Sequence, residues 1–266
     1  MIAYIYAIII IQVIVESFPV SSSGHVALFG IMMQRLGWGS LASLTSYGFT
    51  DGLLHLPTLF VLVIFFFSEW FNMLRKILKY KKYFFYISRF VIVADGCTTF
   101  FYFFIRGNAI TLPLGLGFLI TALVLFSLRW APVNNRPVTW NSVHALLLGC
   151  LQGIALLPGI SRFALTFAGA RWLGYAPHNS FVLSFFIAMP LLFVGVLKGF
   201  VDTILLGYGK QLLHIDYWFI MLIAGIVAYG CLIVVGKIVD KNRVWIISIY
   251  PLLPMLIWFI LKGDAW

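Results

Sequence analysis

PVSSSGH (19–25) and LPGISR (157–162) decide how this chain of 266 residues is read. Each cuts an apolar segment, residues 2–36 and 141–172, that would otherwise pass for one long buried helix. Proline removes a backbone donor and clashes with the preceding turn, while Gly and Ser clusters favour turns. At membrane depth a broken helix is tolerated only where protein or a watery cavity receives the freed backbone groups. Both segments therefore read as re-entrant helix–loop–helix hairpins.

Composition makes the membrane the right frame. Hydrophobic residues make up 62% of the chain and charged ones 10%, with a mean hydropathy of +1.03. Soluble domains carry about 25% charged residues, so this chain lacks the polar surface to cover itself in water. Residues 53–67 (LLHLPTLFVLVIFFF), 111–128, 181–197, 217–236 and 244–261 approach or reach the length that crosses hydrocarbon. The expected fold is all-α and integral to the membrane, with about six transmembrane helices near 50–68, 88–105, 111–130, 180–200, 217–237 and 244–262, plus the two hairpins. Apolar residues 1–15 have no basic residue before them and end in Glu16-Ser17-Phe18-Pro19, which is unlike a removed leader. Cys97, Cys150 and Cys231 all lie in apolar stretches and read as packing residues.

The order of elements repeats within a single membrane domain, 1–266. Residues 1–130 give one broken hairpin and three spans, and residues 131–266 give the same. Gln12 precedes Pro19 as Gln152 precedes Pro158, and HLPTLFVLVIF (55–65) echoes AMPLLFVGVLK (188–198). Three spans is an odd number, so the second copy is expected inverted, an architecture known from transporters. The net charge of +10 suggests nucleic acid at first sight, but the bases cluster between apolar runs, so no nucleic-acid partner is expected. With the loop at 69–89 in the cytoplasm, that side collects Arg75, Lys76, Lys79, Lys81, Lys82, Arg89, Arg129, Arg136, Arg171, Lys237, Lys241 and Arg243. Arg35, Arg106, Lys198, Lys210 and Lys262 fall opposite, so the positive-inside rule favours this orientation, with both termini outside.

Ionisable groups at membrane depth are costly and mark function. The first loop offers Glu16, Ser21, Ser22, Ser23 and His25; the second offers Ser161, Arg162 and Thr166. An acid, hydroxyls, an imidazole and one guanidinium suit phosphate chemistry. Arginine grips phosphoryl oxygens in a fork, and a Gly/Ser turn at a helix start adds backbone donors. A hydroxyl or imidazole serves as nucleophile, and a carboxylate as base or metal ligand. Asp51 and His55 open the first span and read as interfacial. Asp95, inside an apolar run, reads either as paired with a base or as the mark of a polar cavity.

ESFPVSSSGH (16–25) resembles the first signature of the undecaprenyl-diphosphatase family, also called bacitracin-resistance proteins, and Gln12 and Glu16 fit its (E/Q)xxxE element. LLLGCLQGIALLPGISRFALT (146–166) resembles the second signature, and SFFIAMPLLFVG (184–195) the helix after it. The resemblance implies a bacterial inner-membrane phosphatase, and the site is expected to open to the outer side. Such an enzyme removes one phosphate from a C55 polyprenyl diphosphate, recycles the lipid carrier for peptidoglycan synthesis and confers bacitracin tolerance. It also implies a divalent cation, Mg²⁺ or Ca²⁺, with Glu16 orienting either that cation or a proton. The family's catalytic glutamates fall on Gln12 and Glu16. Arg162, Ser161 and Thr166 would hold diphosphate oxygens, Gln12, Ser21 and Ser23 would help bind substrate, and the nucleophile would be Ser22 or His25. Two departures stand out: PGxSRSG reads PGISRFA (158–164), and HxGT reads His55-Leu56-Pro57-Thr58. A polyprenyl-lipid transporter or an inactive family member are the alternatives, and a homodimer is compatible with any of the three.

Overall fold

The computed structural model describes residues 2–37, 52–132, 137, 139–205 and 215–263, and within them every regular element is helical. Asp51, Arg136 and Lys210 lie outside the described residues. Both interrupted segments are broken where their sequences require it. The first is α1 (Ile2–Glu16) and α2 (Ser22–Arg35); the second is α7 (Ser142–Ile154) and α8 (Arg162–Trp172). Each restart carries a serine cap: the Ser21 Oγ accepts from the Gly24 amide (3.3 Å) and the Ser161 Oγ from the Ala164 amide (3.2 Å). A capping hydroxyl satisfies one of the free amides of a helix's first turn, so these serines fix where α2 and α8 begin.

Between and after the hairpins run α3 (Leu56–Phe65), α4 (Phe67–Lys79), α5 (Lys81–Gly107), α6 (Leu114–Ser127), α9 (Pro177–Leu205), α10 (Ile215–Asp240) and α11 (Leu252–Gly263). Among the described residues four stretches are long and apolar enough to cross a membrane: α5, α9, α10 and 244–261. The expected span at 50–68 takes a different course. It bends by 72° between α3 and α4, and counts as a fifth crossing only if the bent pair is one span. The bend falls where the apolar run gives way to Ser68 and Glu69. There the buried Phe66 ring packs on Phe181 (5.1 Å between centroids) and Trp70 (5.6 Å). The expected span at 111–130 is shorter than read, Leu114–Trp130, because Pro113 delays its start.

Packing closes these elements around the two hairpins. α1 lies against α10, and α7 against α5. The α5–α7 seam is close because Gly149 offers no side chain: a Cβ there would collide with the Ala94 carbonyl. Across it the Thr98 hydroxyl donates to the Gly149 carbonyl (3.1 Å), and the Cys97 and Cys150 sulfurs sit 3.2 Å apart. A buried aromatic cluster of Phe66, Phe163, Phe167, Phe181 and Phe185 joins α8 to α9 and the end of α3. Outward faces stay apolar, with Phe60 62%, Phe100 65% and Leu222 61% exposed, as lipid-facing helices require.

Candidate active site

The breaks of the two hairpins meet. Gly24 and Gly159 touch there, since a Cβ on Gly24 would come within 3.0 Å of the Gly159 Cα and Gly159 adopts φ +80°, while α6 backs the second break so closely that a Cβ on Gly117 would strike the Pro158 carbonyl. Thr121, fully buried on α6, donates to the Gly159 carbonyl (3.1 Å) and accepts from the Ser161 amide (3.0 Å). This hydroxyl holds the second loop in place. The first loop turns through Ser21, at φ 65°, a left-handed conformation that is uncommon outside glycine and recurs at functional sites.

The facing loops and helix starts line a narrow cleft. Glu16, Ser21, Ser22 and Ser23 line it from the first hairpin, and Ser161, Arg162 and Thr166 from the second. Thr58 enters from α3, and Phe163, Phe185 and Leu192 give it an apolar wall. Glu16, at the last residue of α1, is the hub. Its Oε2 accepts from the Thr58 hydroxyl (2.8 Å), the His55 Nδ1 lies 2.8 and 2.9 Å from its two oxygens, and the Arg162 Nη2 stands 3.6 Å from Oε1. The Glu16 side chain is 10% exposed and that of Arg162 28%, so the guanidinium is the more open member of the pair. The first residues of α2 (Ser22, Ser23) and of α8 (Arg162, Phe163) line the cleft, and a helix start, with its unpaired amides and positive dipole end, favours an anion.

The sequence-predicted residues therefore divide. Glu16, Ser21, Ser22, Ser23, Ser161, Arg162 and Thr166 come together on one cleft. Gln12, 4% exposed, sits behind it with its amide nitrogen 3.4 Å from the His55 ring. His25 is not among the residues lining the cleft. Its Nδ1 donates to the Ser21 carbonyl (2.7 Å), its Nε2 meets the Tyr250 hydroxyl (3.1 Å), and its ring stacks on Tyr250 and edges on Phe118. Among the described residues Asp95 pairs with no base: its Oδ1 accepts from the Gln152 amide (3.4 Å), away from the cleft. Sequence reading placed His55 at the interface, and Thr58 appeared only as a motif letter. Their spacing of three in a helix turn, which puts both on one face, was the available signal.

Residues 5–256 match the family described as bacitracin resistance protein BacA. The chain belongs to that family. Relatives named undecaprenyl-diphosphatase agree. One from Thermosipho africanus is 26% identical over 260 residues, covering 94% of this chain and 96% of its own. One from Rhodopirellula baltica is 32% identical over 187 residues (68% and 67%), and one from Methanococcus maripaludis 31% over 198 (71% and 75%).

Within the family frame, the structure accommodates both departures. Phe163 packs on Phe185 (4.7 Å between centroids) and Phe181 (5.6 Å), and the fully buried Ala164 still gives its amide to the Ser161 cap. Pro57 lies in the first turn of α3, where its missing N–H costs no helical bond.

Proposed function

We propose that this membrane protein removes the terminal phosphate from undecaprenyl diphosphate, giving undecaprenyl phosphate. That reaction would recycle the lipid carrier for cell-wall synthesis and confer bacitracin tolerance. One observation carries the reading: Arg162 and two helix starts converge on a cleft that holds the Glu16 carboxylate and a row of serine hydroxyls. The printed names of the family's relatives supply the substrate.

Arg162 would hold the diphosphate, aided by Ser161, Thr166, Ser21, Ser23 and the amides at the starts of α2 and α8. Glu16 keeps the guanidinium in place, and Thr58 and His55 fix Glu16. Of the two candidate nucleophiles, the cleft position favours Ser22. Its Oγ attacks the terminal phosphorus as the bond from that phosphorus to the bridging oxygen breaks, the oxygen departs with the lipid monophosphate, which takes up the serine's proton, and water then cleaves the Ser22 phosphoester to release inorganic phosphate. His25 instead positions the first loop, through the Ser21 carbonyl that it grips.

A divalent cation, Mg²⁺ or Ca²⁺, fits this site only loosely. Among the described residues no three His, Cys, Asp or Glu side chains gather to cage a metal. Among the described residues Glu16 is the one carboxylate on the cleft. A single carboxylate together with substrate phosphates is a mode that suits Mg²⁺. The cation would neutralise diphosphate charge, with Glu16 as its protein ligand.

The inverted-repeat reading, 1–130 and 131–266, draws support from reciprocal packing. The first helix of each hairpin lies against a long span of the other half, α1 on α10 and α7 on α5. We place the protein in a bacterial inner membrane, with the cleft opening to the outer side.

The test is phosphate release from undecaprenyl diphosphate by purified protein in detergent, with chelator and then with Mg²⁺ or Ca²⁺ restored. Release that falls on chelation and returns with either ion is the expected result. Lipid accumulating in vesicles with no phosphate set free would replace the phosphatase with a transporter.

A further inference from the structure

The elbow formed by α4 and the start of α5 exposes an apolar ridge beside a cluster of cations. α4 has no buried residue. Phe67, Phe71, Leu74 and Leu78 fall at i, i+4, i+7 and i+11, which places them on one face, and they are 62, 41, 49 and 78% exposed. On and beyond the helix stand Arg75, Lys76, Lys79, Lys81 and Lys82, all exposed. Among the described residues none of these five cations forms an ion pair with a carboxylate. They lie over aromatic rings instead: Arg75 over Phe71 (4.3 Å), Lys79 over Tyr80 (5.3 Å) and Lys76 over Tyr83 (5.9 Å). The one acid on α4, Glu69 in its first turn, faces His178 (3.5 Å).

The attachment of α4 shows which way it faces. It leaves α3 at 72°. The Trp70 indole N–H donates to the Leu62 carbonyl (3.3 Å), and its ring packs on Phe66 and Phe186 (5.6 Å each). One edge is thus fixed to the protein while the apolar ridge turns away from it. Beneath the helix lies an open cleft with Glu69, Asn72 and Lys76 on its α4 side and Tyr83, Trp140 and Phe186 opposite. An exposed apolar ridge beside cations that, among the described residues, pair with no carboxylate matches the lipid interface, with tails on the ridge and phosphates at the cations.

We propose that the elbow, residues 67–82, is a binding site for anionic phospholipid in the leaflet where it lies. The ridge enters the acyl boundary and the five cations take headgroup phosphates. The site stands independently of the phosphatase reading, because it is tested by lipid retention.

Delipidated protein would be offered equal amounts of phosphatidylglycerol and phosphatidylcholine in mixed micelles, and the retained lipid counted by native mass spectrometry. Wild type is expected to prefer phosphatidylglycerol by about tenfold. A variant with Arg75→Gln, Lys76→Gln, Lys79→Gln, Lys81→Gln and Lys82→Gln is expected to lose the preference. A control with Lys237→Gln, Lys241→Gln and Arg243→Gln is expected to keep it. No preference in wild type, an unchanged preference in the elbow variant, or equal loss in the control would overturn the site. A dye on Leu78→Cys, with the three native cysteines replaced, checks the ridge separately. Quenching by brominated lipid tails is expected, and quenching by aqueous iodide instead would place α4 in water and overturn the proposal.

Discussion

At the scale of single residues, the site rests on how Glu16 is held. A carboxylate 10% exposed at membrane depth needs donors, and it has the Thr58 hydroxyl, the His55 imidazole and the Arg162 guanidinium. Hydrogen bonds to charged groups contribute about 1.5–3 kcal/mol. Thr58→Val keeps the shape and removes the donor, so it is expected to lower stability by about that amount, read from the thermal melt, and to slow phosphate release. Glu16, the three serines and Arg162 were legible in the sequence because polar groups are conspicuous inside apolar runs. Thr58 was not, because a lone threonine in a membrane helix commonly bonds its own backbone. Only the fold brings it to a carboxylate 42 residues earlier. His25 was legible as a polar residue, but its direction was not. A sequence gives no sign that its ring turns to Tyr250, 225 residues on.

At the scale of elements, proline, glycine and serine set the breaks of both hairpins, and the helices stop and restart there. Gly117 shows how little room this leaves. A methyl group there would meet the Pro158 carbonyl and the Gly159 backbone, neither of which is a flexible side-chain end. Gly117→Ala is therefore expected to destabilise by about 1–3 kcal/mol, as overpacking does. It should also weaken substrate binding, since the displaced loop carries Ser161 and Arg162; an unaltered melt and KM would contradict the interlock. The bend between α3 and α4 was missed because hydropathy runs smoothly through Phe65, Phe66 and Phe67. What turns the chain is tertiary: the burial of Phe66 among other aromatics and the Trp70 bond to Leu62.

Over the whole molecule, charge placement argues for orientation where geometry is silent. With the loop at 69–89 in the cytoplasm, the C-terminus lies outside. An alkaline phosphatase fused after residue 266 is then expected to be active and a green fluorescent protein dark; the reverse pattern would invert the topology and the side on which the cleft opens. The packing of α1 on α10 and α7 on α5 makes the cleft a product of both halves at once. Its acid comes from one half and its guanidinium from the other, 3.6 Å apart. The most direct measurement is phosphate release from undecaprenyl diphosphate by Arg162→Ala beside wild type, with the thermal melt of each recorded. Loss of one such electrostatic donor costs about 10²–10³ in kcat, so a drop of that order is expected in a protein that still melts cooperatively, at a midpoint lowered by loss of the Glu16–Arg162 pair. Turnover equal to wild type in a folded Arg162→Ala protein would contradict the account.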